Sequence, residues 1–185
     1  MPTRIYVPYQ LPTETGLSRH AIEALAQSAI ADTGIAFDPS EDSKGMMRAL
    51  GGTLESCFEG DLDLDVRAHG DFKVHYSFVD PAFENLGIAR QLGHYLLHYP
   101  GVMKSHPGHG MQVVRGFKHA AFAPSDTCQR EAEWFANAIV MPEDQFRKAW
   151  DLGGYAQCHQ TFWRNHGIQI VRRAKMLGLA VQAAA

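Results

Sequence analysis

The period of the apolar pattern changes once in the middle of the chain, and this change constrains the fold more than any other feature. Between residues 62 and 78 apolar and polar side chains alternate, interrupted by His-Gly-Asp at residues 69–71. This pattern predicts a β-hairpin. Between residues 82 and 98 apolar side chains instead recur at helical spacing, as far as Pro100. We therefore expect an α+β fold in which helices pack against a small antiparallel sheet.

The predicted helix at residues 82–98 carries a damaged metal-binding motif. Zinc peptidases use His-Glu-x-x-His on a helix, because two imidazoles one turn apart hold the zinc and the Glu deprotonates a water molecule. Here Arg90 stands at the first His position and Gln91 at the Glu position, and only His94 keeps its type. The helix thus has the frame of a zinc site without the two side chains that matter most.

Two more landmarks follow this helix in order. Residues 130–142 read Arg-Glu-Ala-Glu-Trp-Phe-Ala-Asn-Ala-Ile-Val-Met-Pro, and residues 171–179 read Val-Arg-Arg-Ala-Lys-Met-Leu-Gly-Leu. Over roughly residues 18–179, the chain resembles the ImmA/IrrE family of metallo-endopeptidases. The resemblance implies a zincin-like α+β fold, mostly helical, with a small antiparallel sheet and a C-terminal helix-turn-helix-like pair. It also implies that His94 and Glu131 stand at the second and third zinc-ligand positions, and that relatives cleave helix-turn-helix repressors.

The two departures from the family pattern remove the chemistry. A guanidinium offers only donors, so Arg90 cannot bind a metal, and the neutral Gln91 cannot accept and return a proton. The vestigial ligands His94 and Glu131 fall below the three protein ligands of a catalytic zinc. We therefore expect no intact catalytic residue and no cofactor, with zinc only if the site is retained. We further expect Arg90 to point into the vacated metal position and pair with Glu131.

Other histidines offer an alternative metal set. His98 lies one turn beyond His94, but α-helical geometry turns it by about 80° from Arg90, so it need not converge with Glu131. His106, His109 and His119 lie in a Gly- and Pro-rich segment, where loop histidines bind only adventitious metal. An active zinc endopeptidase with an atypical site that includes His98 remains the alternative.

Composition argues for a cytoplasmic protein. The net charge is −3, so no overall basic field draws the chain to nucleic acid or anionic membrane. The cysteines Cys57, Cys128 and Cys158 are odd in number and form no C-x-x-C pair, which argues against disulfides and thiolate zinc sites. No apolar stretch approaches the ~20 residues of a membrane span.

The C-terminal part leaves open another function, which is DNA binding. Two predicted helices near residues 155–165 and 168–177 form a helix-turn-helix-like pair with four cations that could contact DNA: Arg164, Arg172, Arg173 and Lys175. We assign residues 1–150 to the zincin-like domain and residues 151–185 to a helical extension packed on it. The function that we expect is regulation by binding a protein, for example a helix-turn-helix repressor, without cleavage.

Overall fold

The computed structural model describes residues 7–34, 42–56, 62–76, 81–114, 123–163 and 165–180. Five strands run over Tyr9–Gln10 (β1), Gly52–Ser56 (β2), Leu62–Ala68 (β3), Asp71–Tyr76 (β4) and Gly110–Val114 (β5). The helices run over Arg19–Thr33 (α1), Asp42–Ala49 (α2), Pro81–Gly93 (α3), Tyr99–Ser105 (α4), Asp126–Val140 (α5), Glu143–Thr161 (α6) and Gly167–Met176 (α7). A single π-helical turn, His94–His98, joins α3 to α4.

The strands form one sheet in the order β1-β5-β3-β4-β2. The predicted hairpin is present as β3 and β4, which pair antiparallel around Gly70 at a φ of 75°. The expectation of an antiparallel sheet was wrong at both edges, because β1 pairs parallel with β5 and β2 pairs parallel with β4. Each edge strand pairs with a strand that is not its neighbour in the sequence. The short spacing that predicts a hairpin is therefore missing for both pairs.

Short polar caps begin α1 and α5, and a glycine ends α1. Ser18 accepts a hydrogen bond from the backbone N–H of Ala21, and Gly34 ends α1 in the left-handed conformation. Ser125 caps α5 in the same way, through the backbone N–H of Cys128. The apolar faces of α1, α3 and α5 and of the sheet share one buried core. The fold is α+β, as the sequence predicts.

The C-terminal helices pack against this core. Cys158 and Phe162 of the α6 region and Ile170 and Ala174 of α7 are fully buried within it. The predicted boundary at residue 150 falls inside α6, and the division into a domain and an extension stays a prediction. Within the described ranges, no helix is both long and apolar enough to cross a bilayer.

Gly87 is expected to weaken α3. A Cβ at this position would meet nothing within 4 Å, so Gly87→Ala should raise the free energy of unfolding by about 0.5–1 kcal/mol through helix propensity alone. Urea unfolding monitored by circular dichroism measures the change. The control is Gly93→Ala in the same helix, where the Cβ would lie 3.0 Å from the backbone of Ala132 and should be destabilising. A loss of stability in Gly87→Ala would contradict the packing described here.

Candidate functional site

The site lies where the end of α3 crosses the first half of α5. The two helices approach closely because Gly93 has no side chain, and a Cβ there would sit 3.0 Å from both the Cα and the carbonyl oxygen of Ala132. His94 follows Gly93 and Glu131 precedes Ala132, so both residues adjoin this contact. Both side chains are buried, at 0% and 1% exposure. The sequence landmarks at residues 90–98 and 130–142 therefore meet in space.

The π turn brings His98 into the site. In this turn the backbone N–H of Tyr99 donates to the carbonyl of His94, which is a hydrogen bond from residue i+5 to residue i. Each residue in such a turn rotates by less than the about 100° of an α-helix. The step from His94 to His98 therefore rotates in the opposite sense to the step from Arg90 to His94. As a result, Nε2 of His98 lies 3.0 Å from Oε2 of Glu131. The prediction that His98 need not converge with Glu131 rested on α-helical geometry, and the π turn instead places His98 against Glu131.

Four donors saturate the Glu131 carboxylate. Oε1 accepts hydrogen bonds from the Thr15 hydroxyl at 2.8 Å and from the Gly16 backbone at 3.0 Å. Oε2 accepts from the Thr15 backbone at 3.1 Å and from His98. Burial alone would raise the pKa of Glu131, but the bonds from Thr15 and His98 outweigh it and hold the pKa below its ordinary value. A carboxylate has about four lone-pair sites, and here protein donors use all of them.

The charges in the site determine which ring nitrogens of His94 and His98 carry protons. Glu131 is ionised, and burial, which outweighs Glu131, lowers the pKa of His98 and keeps that ring neutral. Nε2–H of His98 then donates to Glu131, and Nδ1 of His98 accepts a hydrogen bond from Nδ1–H of His94 at 3.0 Å. Burial first, then His98 and Arg90, also holds the pKa of His94 well below its ordinary value, against the nearby Gln129 amide. Nε2 of His94 keeps a lone pair that has no partner among the described residues.

Arg90 does not replace the metal. Its Nη2 atom lies 3.9 Å from Oδ2 of Asp63 on β3, and its side chain is 43% exposed. The predicted pair with Glu131 was wrong, because His98 and the Thr15–Gly16 backbone already satisfy that carboxylate and Arg90 keeps its charge near water. Gln91, at the position of the general base, is 2% exposed, and its Oε1 has no partner within the described ranges.

One group of side chains in the described part of the chain could hold a metal ion by residue type and distance. The ligand atoms of His98, Cys128 and Glu131 all lie within 4.8 Å of one another, and all three residues are buried. In this structure the same atoms are engaged in hydrogen bonds with the protein. The Cys128 thiol donates to the carbonyl of Pro12 at 3.6 Å, and burial, aided by the Glu131 charge, raises the pKa of this thiol above its ordinary value. Metal binding at this cluster would require the Cys128 thiol to lose its proton and the Glu131 carboxylate to exchange one of its hydrogen bonds for the metal.

The loop histidines lie elsewhere. Nδ1 of His109 accepts a hydrogen bond from the Gln10 amide at 3.0 Å, and the rings of His106 and His109 lie 5.4 Å apart on their centroids. Neither belongs to the metal-type group described above. His119 falls outside the described residues.

The four C-terminal cations differ in exposure. Arg173 is fully buried and pairs with Glu23, so the expectation that Arg173 could contact DNA was wrong. Arg172 and Lys175 are exposed, and Arg164 falls outside the described residues. Half of the basic set proposed for DNA is thus either buried or not described.

Sequence reasoning missed the partners of Glu131. Thr15 and Gly16 are more than 110 residues away along the chain, and no local pattern marks them. Cys128 did leave a signal, because it stands three residues before Glu131 and so shares its helical face.

The comparison with known families agrees with this geometry. The family model described as the IrrE N-terminal-like domain, of a zinc-dependent metallopeptidase family, matches residues 79–174, which is more than half of the chain. No curated protein matches the chain significantly. The matched residues include α3, the π turn and α5, the elements that build the site, and the α+β fold is of the zincin-like type. The chain therefore belongs to the ImmA/IrrE family of metallopeptidase-like proteins.

Proposed function

We propose that this protein is an inactive member of its metallopeptidase family that regulates by binding another protein. The observation that carries the proposal is the Glu131 carboxylate, which serves the fold because protein donors use all of its lone pairs in this structure. Gln91 adds to it, because a buried neutral amide cannot move a proton at accessible pH. Loss of a general base alone lowers a rate by roughly 10²- to 10⁴-fold.

Binding survives where chemistry is lost, because recognition and catalysis use different residues. The cleft between α3 and α5 keeps the frame in which the family holds its protein substrates. A helix-turn-helix repressor is therefore the partner that we propose, held without cleavage in the cytoplasm.

Metal analysis of protein prepared without a His-tag tests the proposal. After exposure to zinc and dialysis, the wild type should retain well under one zinc ion per chain, and the double variant Arg90→His/Gln91→Glu should approach one. Purified helix-turn-helix repressors from the same genome should then bind the wild type in calorimetry and remain intact by mass spectrometry. One zinc per wild-type chain together with chelator-sensitive cleavage of a repressor would overturn the proposal.

The alternative is an active zinc endopeptidase with an atypical site, and the grouping of His98, Cys128 and Glu131 favours it. Such a site would have to deprotonate Cys128 and replace the Nε2 proton of His98, which now faces Glu131, with the metal. Under this alternative Cys128→Ser would abolish stoichiometric zinc binding, whereas under our proposal it would change nothing in the metal content.

A further inference from the structure

A pocket of about 360 Å³ opens beside the degenerate motif, between α3, α5 and α7. Its polar lining consists of Arg90, Gln129, Glu133 and Arg172, and its apolar lining includes Leu86 and Ala136. Arg90 and Gln129 both act on the His94 ring, so the pocket adjoins the site described above. A volume of this size falls within the range of ligand sites.

Neither guanidinium group in the pocket forms a strong ion pair. Arg172 lies 3.8 Å from Glu133, and both side chains are at least half exposed, so the pair contributes little in water. Arg90 contacts Asp63 only at 3.9 Å, and its buried Nε–H has no hydrogen-bond partner in the described part of the chain. Arg90 therefore brings to the pocket lining a permanent positive charge and a guanidinium with one unsatisfied donor.

A carboxylate is the group that this lining recognises. A guanidinium is a fork of donors with no acceptor, and it matches the two oxygens of a carboxylate. The lining residues include two guanidinium groups and one carboxylate, so the lining carries one net positive charge. Leu86 and Ala136 add an apolar wall that suits the methylene groups of a side chain. A carboxylate at a chain terminus is attached directly to the backbone, without methylene groups that could contact this wall.

We propose that this pocket binds a glutamate side chain of the partner protein, which pairs with Arg90. The inference rests on the proposed function and names the chemistry by which the partner is recognised.

An NMR titration with short blocked peptides tests the proposal. The probe is Ac-Ala-Ala-Glu-Ala-Ala-NH₂, its matched control has Gln in place of Glu, and a third peptide, Ac-Ala-Ala-Ala-Ala with a free C-terminus, represents a terminal carboxylate. The Glu peptide should shift the amide signals of Gly87 and Ala136 and bind at least about tenfold more tightly than the other two.

Two variants locate the binding. Arg90→Gln should weaken the Glu peptide about tenfold, whereas Arg147→Gln, with a side chain of nearly equal exposure on α6, should leave it unchanged. Gly87→Leu fills the pocket from a position with no atom within 4 Å of the Cβ, and it should also abolish binding while the protein stays folded.

Equal binding of the Glu and Gln peptides, preference for the terminal carboxylate, or an unchanged affinity in Arg90→Gln would each overturn the inference. The proposed function is judged separately, by zinc content and by the fate of the repressor. A metal-free wild type that binds an intact repressor but ignores the Glu peptide would reject this inference alone.

Discussion

Arg173→Met is expected to lower the free energy of unfolding by about 3–5 kcal/mol, which is the usual cost of breaking a buried ion pair from one side. Arg173 is fully buried and forms a two-pronged pair with Glu23 of α1, in which Nη2 lies 2.8 Å from Oε2. Its Nε also donates to the carbonyl of Met141 at 2.9 Å. Removal of the guanidinium leaves the Glu23 carboxylate buried without its cation.

The neighbouring arginine supplies the control. Arg172→Met removes the same charge from the same helix, but Arg172 is exposed and pairs only at the surface with Glu133, so we expect a loss of about 0–1 kcal/mol. Urea unfolding of both variants measures the difference. The double variant Glu23→Leu/Arg173→Met should recover much of the lost stability, because no buried charge then remains unpaired. Equal losses in the two single variants would contradict the burial of Arg173.

The difference between these two arginines was partly visible in the sequence. Ile170, Ala174 and Leu177 recur at helical spacing, and Arg173 lies three residues after Ile170 on that apolar side. A cluster of cations usually indicates a solvent-exposed helix face. For this reason Arg173 is grouped with the exposed cations in the sequence prediction, although it lies on the apolar side of the helix. Its acidic partner is Glu23, 150 residues earlier, and nothing local pairs the two.

The elements with strong local patterns were predictable. The alternation of β3 and β4, the cap of α1 at Ser18 and the meeting of the two landmark helices all follow from short-range signals and from the family resemblance. The chemistry inside the site was not predictable in the same way. A π turn depends on tertiary contacts that no propensity reports, and it alone moves His98 onto Glu131.

Glu131→Ala is expected to lower the free energy of unfolding by about 3 kcal/mol, because buried donors lose a charged acceptor and water recovers only part of the loss. Thr15→Val removes a single donor, the hydroxyl at 2.8 Å, and should cost about 1 kcal/mol. Hydrogen exchange should show the same order, since the Thr15 and Gly16 amides lose protection in Glu131→Ala.

The measurement must be made with a chelator present. A carboxylate that serves only as a metal ligand would be dispensable for stability in metal-free protein, and Glu131→Ala would then resemble the wild type. A carboxylate that ties the Thr15–Gly16 segment and His98 to α5 would remain costly to remove without any metal. The second result would place Glu131 in the fold, where a family ligand has become a structural anchor. The first result would indicate that Glu131 serves as a metal ligand, and it would support the alternative of an active zinc endopeptidase.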